Sequence, residues 1–209
     1  PRDMTEEVVN VIAEYSCLAK QIHLPLQSGD DRILIRMNRN YMVDQYRERV
    51  RTIRSILPQA TLFTDIIVGF SGETEAEFEN TRAAMREFQF NMAYVAMYSP
   101  RPGAASFRWP DDVPHEEKNR RLHVLSEELA RSSGAYTRAM VGREFRVLVE
   151  GPDRKPGYVS GKTEGRITVR FPDADGSPIG TFTSVKVTSA ASLSVEGERA
   201  GRFAAISTT

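Results

Sequence analysis

The sequence holds a single cysteine, Cys17, among its 209 residues. One thiol excludes an internal disulfide framework and any metal site built from several cysteines within these residues. Cys17 lies in a predicted link between a helix and a strand. We therefore expect a buried, unreactive thiol with no functional role.

A net charge is also missing, since 28 lysine and arginine residues balance 28 aspartate and glutamate residues. No global field therefore draws the chain to nucleic acid or membranes, and only local clusters can do so. No apolar run approaches the ~20 residues that a membrane span requires, and no signal peptide is visible. These absences predict a soluble, cytoplasmic protein without a membrane partner, and 40% hydrophobic residues suffice for a core.

The first hundred residues alternate between helical and strand patterns, which indicates an α/β fold with parallel strands and right-handed crossovers. Three strands cannot close a barrel, and the chain starts at Pro1 rather than methionine, directly before a helix. We therefore predict the second half of a larger β/α barrel, cut from a longer protein. The predicted helices span 5–13, 44–57 and 75–88, a shorter one follows Asp30 or Asp31, and the predicted strands span 22–26, 61–68 and 91–98.

A Pro- and Gly-rich loop and a long helix, from Pro114 to about Ala139, precede a change of pattern at Gly142. From Arg143 onward, five short β-type runs alternate with Gly, Pro and Asp turns, which fits a small antiparallel barrel. The predicted domains are 1–140, including the long helix, 141–198 for the β barrel, and 199–209 for a loose tail.

The stretch DIIVGFSGET, residues 65–74, has the pattern of a buried strand, a glycine turn and a helix start. Thr74 and Glu77 predict a capping box. The loop matches neither the Walker nor the dinucleotide fingerprint, and the Glu73 carboxylate disfavours a phosphate at the helix start. It is either a site for a cationic or hydroxyl-bearing group, with Asp65 and Glu73 as acceptors, or a tight joint that Glu73 caps.

Other polar residues follow predicted strands. Gln27 and Ser28 end the strand 22–26, so in a parallel sheet they share a rim with the glycine loop. His23, inside that strand, is interpreted as a hydrogen-bonded packing residue rather than a ligand or base. Arg101, between two prolines after the third strand, is either a bidentate donor to a phosphate or carboxylate or a solvated turn residue.

Basic residues crowd the first three strands of the second domain. A solvated face is the usual origin of such a cluster, although small β barrels also bind single-stranded or looped RNA in basic grooves. The cluster is a candidate RNA-binding surface. It consists of Arg154, Lys155, Lys162, Arg166 and Arg170.

Several segments, in this order and spacing, resemble the methylthiotransferase family of radical S-adenosylmethionine enzymes. They are HLPLQSGDDRILIRMNR, DIIVGFSGETEAEFENT, YSPRPGAAS, DDVP, RVLVEG and VSGKTEGR. The resemblance extends from the first residues to about Glu198. The chain departs from the family at Ser71, where proline is usual, and at Ala104, where threonine is common.

The resemblance implies the second half of a radical S-adenosylmethionine β/α barrel, a partial TIM barrel, followed by a TRAM domain, a small RNA-binding β barrel. Arg101 would lie toward the substrate, and Arg154, Lys155, Lys162 and Arg166 would contact the anticodon stem-loop of a tRNA. By the family pattern, the residues that bind S-adenosylmethionine are Gln27, Ser28, Asp65, Gly69, Gly72 and Glu73.

The activity that the resemblance implies is radical methylthiolation of isopentenyladenosine next to the tRNA anticodon. Such enzymes use S-adenosylmethionine and two iron–sulfur clusters, which an electron donor reduces. The family's CxxxCxxC motif is missing, and Cys17 cannot replace it. We therefore expect the cluster ligands in a longer parent protein and no activity from this chain alone.

Three alternative functions remain open. Two are methylthiotransferases of the same fold, acting on threonylcarbamoyl-adenosine in tRNA or on an aspartate of a ribosomal protein. The motif SPRPG resembles the tRNA-directed branches, and VEG with GKTEGR resembles the isopentenyl branch. The third alternative, a non-catalytic RNA-binding protein, is favoured by the missing cysteines. A cysteine triad encoded upstream of Pro1 would exclude it.

Overall fold

The computed structural model describes residues 1–173, 176 and 178–202. Contacts divide the chain into two compact units, one of residues 1–18 and 22–132, the other of residues 19–21 and those from 133 onward. No helix in these described ranges is both long and apolar enough to cross a membrane.

The first unit alternates helices and strands as predicted. Its sheet has the strand order β1-β2-β3, and β2 pairs with β3 in parallel, from Phe63 beside Met92 to Val68 beside Met97. The elements are α1 (Glu6–Glu14), β1 (Gln21–His23), α2 (Asp31–Arg36), α3 (Val43–Ile56), β2 (Thr61–Val68), α4 (Glu75–Phe88), β3 (Met92–Met97), a 3₁₀ helix (Ala105–Arg108) and α5 (His115–Arg138), whose last residues belong to the second unit.

The two faces of this sheet differ in burial. Side chains alternate along a strand, and Leu62, Ile66 and Val68 of β2 point into the core, where helices α3 and α4 supply Tyr46 and Phe78. The intervening residues of β2 are half-buried, and Tyr94 on β3 is 72% exposed. The unit therefore has one covered sheet face and one accessible face.

Strand β1 is shorter than the predicted strand 22–26 because Pro25 has no N–H to donate to the ladder. Pairing resumes at Gln27, which forms an isolated parallel bridge with Ile66. The prediction that Cys17 is buried is wrong, since this thiol lies exposed in the link after α1.

The second unit contains a closed five-stranded barrel in the order β4-β5-β6-β8-β7. The sequence predicted antiparallel pairing throughout, but β6 and β8 are parallel. A ring of five strands cannot alternate direction all the way round, so one neighbouring pair must run the same way. The strands are β4 (Glu144–Pro152), β5 (Tyr158–Thr163), β6 (Thr168–Pro172), β7 (Phe182–Ala190) and β8 (Ser194–Arg202).

The barrel interior is filled by side chains such as Val147, Val169, Phe171 and Val185, each fully buried. Strand β5 approaches β4 so closely at Gly161 that an added Cβ would lie 2.2 Å from the carbonyl oxygen of Leu148. Strand β8 continues to Arg202, so residues 199–202 are not part of a tail. The rest of the predicted tail, residues 203–209, lies outside the described residues.

Helix α4 begins with the predicted capping box, in which Thr74 and Glu77 bond each other's backbone N–H groups. The Glu77 carboxylate also accepts hydrogen bonds from Arg32 on α2, one of them 2.7 Å long. The hydrogen bond from Arg32 is the largest cause that lowers the pKa of Glu77, to about 2. This carboxylate therefore links two helices of the first unit while it caps one of them.

We predict that Glu77→Gln destabilises the first unit at neutral pH by roughly 1–2 kcal/mol, because charge-assisted hydrogen bonds are lost. The lowered pKa means that the stabilisation is complete above about pH 4.5 and is lost as the pH falls toward about 2. The difference between wild type and variant should therefore shrink on acidification. Urea unfolding followed by fluorescence of Trp109, the single tryptophan, measures it.

The matched control is Glu79→Gln, since Glu79 is a half-exposed carboxylate on the same helix that pairs with Arg82 at 3.3 Å. An exposed pair of this kind should change the stability by at most about 0.5 kcal/mol. If the difference in stability between wild type and Glu77→Gln stayed constant from about pH 7 to about pH 3, the link between the Glu77 pKa and stability would be contradicted.

Candidate functional site

The loop after β2 turns tightly because two of its glycines adopt left-handed backbone angles, with φ of +68° at Gly69 and +74° at Gly72. A Cβ at Gly69 would lie 2.3 Å from Cγ of Lys118, so the loop also passes close under α5. Gly72 donates its N–H to Asp112 at 2.7 Å, and its carbonyl accepts from Arg32 at 2.6 Å. The loop is therefore held by contacts on both sides.

Glu73 lies inside this joint, and its side chain is 0% exposed. Its Oε2 accepts hydrogen bonds from the Gly69 N–H at 2.6 Å and from Nη1 of Arg121 at 2.7 Å, while Oε1 has no hydrogen-bond partner in the described part of the chain. Burial raises the pKa of Glu73, and the bonds from Gly69 and Arg121 oppose that rise. The carboxylate thus clamps the loop to α5.

Sequence reasoning missed the role of α5 in this joint, because lysine and arginine side chains on a helix are usually exposed. Lys118 and Arg121 are each 4% exposed. The Lys118 ammonium donates to the Tyr98 carbonyl at 3.0 Å and pairs with Asp111. Both residues fall on the same helical stripe as Leu125, at spacings of seven and four residues, and that spacing was the available signal.

The two polar residues after β1 lie at the same end of the sheet. Gln27 is 7% exposed and adopts φ of +68°, a conformation that is rare outside glycine and recurs at functional sites. Its N–H donates to the Asp65 carbonyl at 2.8 Å, and its carbonyl accepts from Ile67 at 2.9 Å. Ser28 is fully buried, and its hydroxyl lies 3.3 Å from that of Thr81.

The accessible sheet face carries an acid–base pair, in which Nε2 of His23 lies 3.2 Å from Oδ2 of Asp65. Their side chains are 52% and 36% exposed, so the interpretation of His23 as a packing residue is wrong. Because Ile22 takes the core side of β1, His23 must point to the opposite face. Asp65 also neighbours the exposed Tyr94 across the parallel ladder.

A cavity of about 440 Å³ opens near the carboxyl ends of β2 and β3. Arg101 is the predicted site residue that lines it, together with Arg36 and Arg39, which the sequence analysis did not single out. Residues so far apart in the chain meet only through the fold. The residues predicted to bind the cofactor do not line this cavity; they are Gln27, Ser28, Asp65, Gly69, Gly72 and Glu73.

In the barrel, part of the basic cluster lies on the outer face of neighbouring strands. Lys162 on β5 stands beside Thr168 on β6 and donates to its hydroxyl at 2.7 Å. Arg170, farther along β6, pairs with Asp153 at 3.1 Å. These two strands therefore present cations outward while their alternate residues fill the interior.

The rest of the cluster divides between two turns. Arg154 and Lys155 precede β5, whereas Arg166 follows it. A strand of six residues is roughly 20 Å long, so the two groups of residues lie far apart. Lys155 pairs with Glu196 at 3.3 Å and lies 3.7 Å from the ring of Tyr158. Both partners of that pair are solvent-exposed, so the pair is weak and Lys155 can exchange Glu196 for another anion.

Metal-binding residues do not cluster in the described part of the chain. No group of three or more histidine, cysteine, aspartate and glutamate side chains there could hold a metal ion. Thiolate ligands for an iron–sulfur cluster are equally lacking, because Cys17 is the one cysteine of the sequence.

Comparison with known proteins assigns both parts of the chain. Residues 1–85 match the Radical SAM superfamily, and residues 138–199 match the TRAM domain. These matches confirm the resemblance that the sequence motifs indicated. Among solved structures, the chain resembles coproporphyrinogen III oxidase from Escherichia coli, which is described as a radical SAM enzyme, with a TM-score of 0.52 over 78% of this chain and 45% of that one. At 14% identity, the likeness shows the fold alone.

Three curated relatives carry the name tRNA-2-methylthio-N(6)-dimethylallyladenosine synthase. The chain is 39% identical to that of Coxiella burnetii over 199 residues, 40% to that of Burkholderia thailandensis over 202 and 42% to that of Oceanobacillus iheyensis over 198. The alignments cover 95%, 95% and 94% of this chain but 45%, 44% and 38% of the relatives. The chain therefore spans less than half of their length.

We predict that Arg121→Met destabilises the first unit by about 3 kcal/mol, because it leaves the Glu73 carboxylate buried without its cation. Adding Glu73→Gln should restore at least about 1 kcal/mol, since the uncompensated charge is then removed. Urea unfolding followed by Trp109 fluorescence measures both values. The control is Arg120→Met, which removes a half-exposed arginine and should cost less than about 1 kcal/mol. Equal losses of stability in Arg120→Met and Arg121→Met would contradict the role of the Glu73–Arg121 pair in holding the loop to α5.

Proposed function

We propose that this chain, which joins a radical SAM segment to a TRAM domain, is the carboxyl-terminal part of a tRNA methylthiotransferase. The observation that carries the proposal is the identity of 39–42%, over nearly the whole chain, to three enzymes named for 2-methylthio-dimethylallyladenosine in tRNA. The substrate would accordingly be isopentenyladenosine, the same modified base, beside the anticodon. An enzyme with this substrate would act in the cytoplasm.

In this proposal the parallel strands β1, β2 and β3 are the second half of a β/α barrel. Two features support it: helices cover one face of the sheet, and the accessible face carries polar residues, as a barrel interior with a ligand would. The barrel part with its linker helix would end at residue 140. The TRAM domain would follow from residue 141, which agrees with the family match over 138–199.

S-adenosylmethionine carries a sulfonium and an ammonium group, which suit a carboxylate acceptor. Asp65 fits that role, because its side chain is partly exposed at the carboxyl half of β2 on the accessible face. Gln27 and Ser28 would shape the rim beside it, and the joint from Gly69 through Gly72 to Glu73 would hold the end of β2 in place. When bound, the cofactor would supply the radical and the methyl group.

An iron–sulfur cluster does not fit the residues present, since several thiolates are needed and the chain has one, at the exposed Cys17. The two clusters of the proposed activity, and the contact with an electron donor, therefore belong to other residues of a longer parent protein. No catalytic step is assigned to this chain. Its proposed tasks are to hold the cofactor, to position the substrate and to bind RNA.

The TRAM domain would bind the anticodon stem-loop with the basic residues on and beside β5. Lys162 stands on the outer face, and Arg166 is exposed in the following turn without a carboxylate within 4.0 Å among the described residues. Arg154 and Lys155 would extend the contact from the opposite end of β5. Arg101 would contact the substrate from the radical SAM segment.

The test of the proposal is expression of the complete coding sequence that contains this chain in a bacterial strain lacking its own enzyme. Mass spectrometry of the tRNA nucleosides should then show 2-methylthio-isopentenyladenosine. Methylthio groups on threonylcarbamoyl-adenosine, or on a ribosomal-protein aspartate instead, would replace the proposed substrate by one of the alternatives. A folded protein that binds RNA and leaves no methylthio group on tRNA or ribosomal protein would identify a non-catalytic RNA-binding protein.

A separate prediction concerns the barrel. The double variant Lys162→Ala/Arg166→Ala should bind an anticodon stem-loop roughly tenfold more weakly, and the slope of log K against log salt should fall by about one to two. Fluorescence anisotropy at several salt concentrations measures both. The control is Lys186→Ala, an exposed lysine on β7 outside the cluster, which should change neither value. An unchanged affinity and slope in the double variant would exclude this surface as the contact.

A further inference from the structure

The cavity near the carboxyl ends of β2 and β3 is lined by three arginines and by no aspartate or glutamate. Its walls are otherwise neutral and combine apolar side chains with small polar ones. The side chains around this cavity of about 440 Å³ thus carry a formal charge of plus three. The lining residues that the argument uses are Arg36, Arg39, Arg101, Ile67, Phe70 and Met97.

The positive charge of this cavity is not neutralised within the described residues. Arg39 and Arg101 are exposed, and no carboxylate there lies within 4.0 Å of either guanidinium. Elsewhere in the same unit, partly exposed arginines such as Arg47 and Arg82 are paired with glutamates. The cavity therefore concentrates free cationic charge in a chain whose net charge is zero.

Arg36 differs from the other two because the fold holds it in place. Its guanidinium lies 4.7 Å from the ring centroid of Trp109, and its Nε donates to the Ser71 carbonyl at 3.3 Å. Both partners are uncharged, so they orient the guanidinium without cancelling its charge. An arginine held in this way loses little side-chain entropy when an anion binds.

The chemistry of the lining selects among possible ligands. S-adenosylmethionine has two cationic groups and one carboxylate, so three uncompensated guanidiniums disfavour it. A phosphodiester is permanently anionic, and its paired oxygens match the fork of a guanidinium. The apolar walls formed by Ile67, Phe70 and Met97 lower the local dielectric and strengthen that attraction. A volume near 440 Å³ falls in the range of sites for small ligands or single nucleotides.

The position of the cavity agrees with such a ligand. Ile67 and Ala96, which line it, are cross-strand neighbours on the same sheet face as Asp65 and Tyr94. Two residues along a strand correspond to roughly 7 Å, so a phosphate in the cavity would lie within one nucleotide of the Asp65 side chain. The face proposed for the cofactor is thus continuous with the wall of this cavity.

We infer that Arg36, Arg39 and Arg101 form a binding site for a backbone phosphate of the substrate RNA, next to the base that is modified. The inference rests on the proposed function and adds a second, independent RNA contact to that of the barrel. The three residues act as positioning residues, because they hold the nucleotide rather than touch the reacting atoms.

The experiment uses the full chain and a fluorescent single-stranded RNA of about five nucleotides, centred on isopentenyladenosine and too short to form a stem. The variant Arg39→Gln/Arg101→Gln removes the two exposed arginines and leaves the packed Arg36 intact. We expect roughly tenfold weaker binding and a salt slope lower by about 1.4, which corresponds to two lost charge contacts on a single strand. The control Arg51→Gln/Arg108→Gln removes two exposed arginines that do not line the cavity and should bind as wild type.

A second RNA, in which a neutral methylphosphonate replaces the phosphodiester beside the modified base, identifies the bound group. This change should weaken binding to wild type and have little further effect on the Arg39→Gln/Arg101→Gln variant. The inference would be overturned if the methylphosphonate and the arginine substitutions weakened RNA binding additively. It would also be overturned if wild type and variant bound the normal RNA with equal affinity. The proposed function would stand in both cases. Reduced affinity for S-adenosylmethionine with unchanged RNA affinity would assign the cavity to the cofactor and overturn it as well. A wild-type chain that binds neither this RNA nor an anticodon stem-loop would overturn the inference together with the proposed function.

Discussion

The first unit depends on a carboxylate–guanidinium pair that is closed off from water. Glu73 and Arg121 are buried, and two buried charges are tolerated only when each finds well-placed partners. The Glu73 carboxylate needs the N–H of Gly69, which points at it because the backbone there is left-handed. The same turn leaves room for Lys118 only if residue 69 has no side chain. The loop conformation and the docking of α5 therefore depend on each other.

Because this joint fixes the end of β2, it determines what the rest of the sheet can present. The accessible face carries the His23–Asp65 pair, and the cavity beyond the strand ends carries three arginines that have no acidic partner among the described residues. Groups that attract cations and groups that attract anions thus occupy adjacent regions of one unit. Such a separation would suit the proposed function, because a cationic nucleoside cofactor and a polyanionic RNA would each be repelled from the other's site.

The barrel shows how closure constrains a binding surface. Five strands in a ring require one parallel pair, and β6 and β8 supply it. The extended strand β5 also places the turns before and after it at opposite ends, which divides a cluster that looks continuous in the sequence. Arg154 and Arg166 are only twelve positions apart in the chain, yet they flank opposite ends of β5 and so are too far apart to meet at one phosphate. An elongated ligand is the kind that such an arrangement suits.

Local spacing of residues determined much of this protein without any structure. The periodic patterns located β2 and α4, the Thr74–Glu77 pair identified the cap, and the order of motifs indicated the family. Those features depend on neighbours within a few positions, and the backbone periods of helix and strand express them directly. Tertiary structure alone decided which faces are covered. It buried Lys118 and Arg121, exposed Cys17 and His23, and brought Arg36 and Arg39 to Arg101. Burial and charge pairing depend on elements far apart in the chain, and no local pattern contains that information.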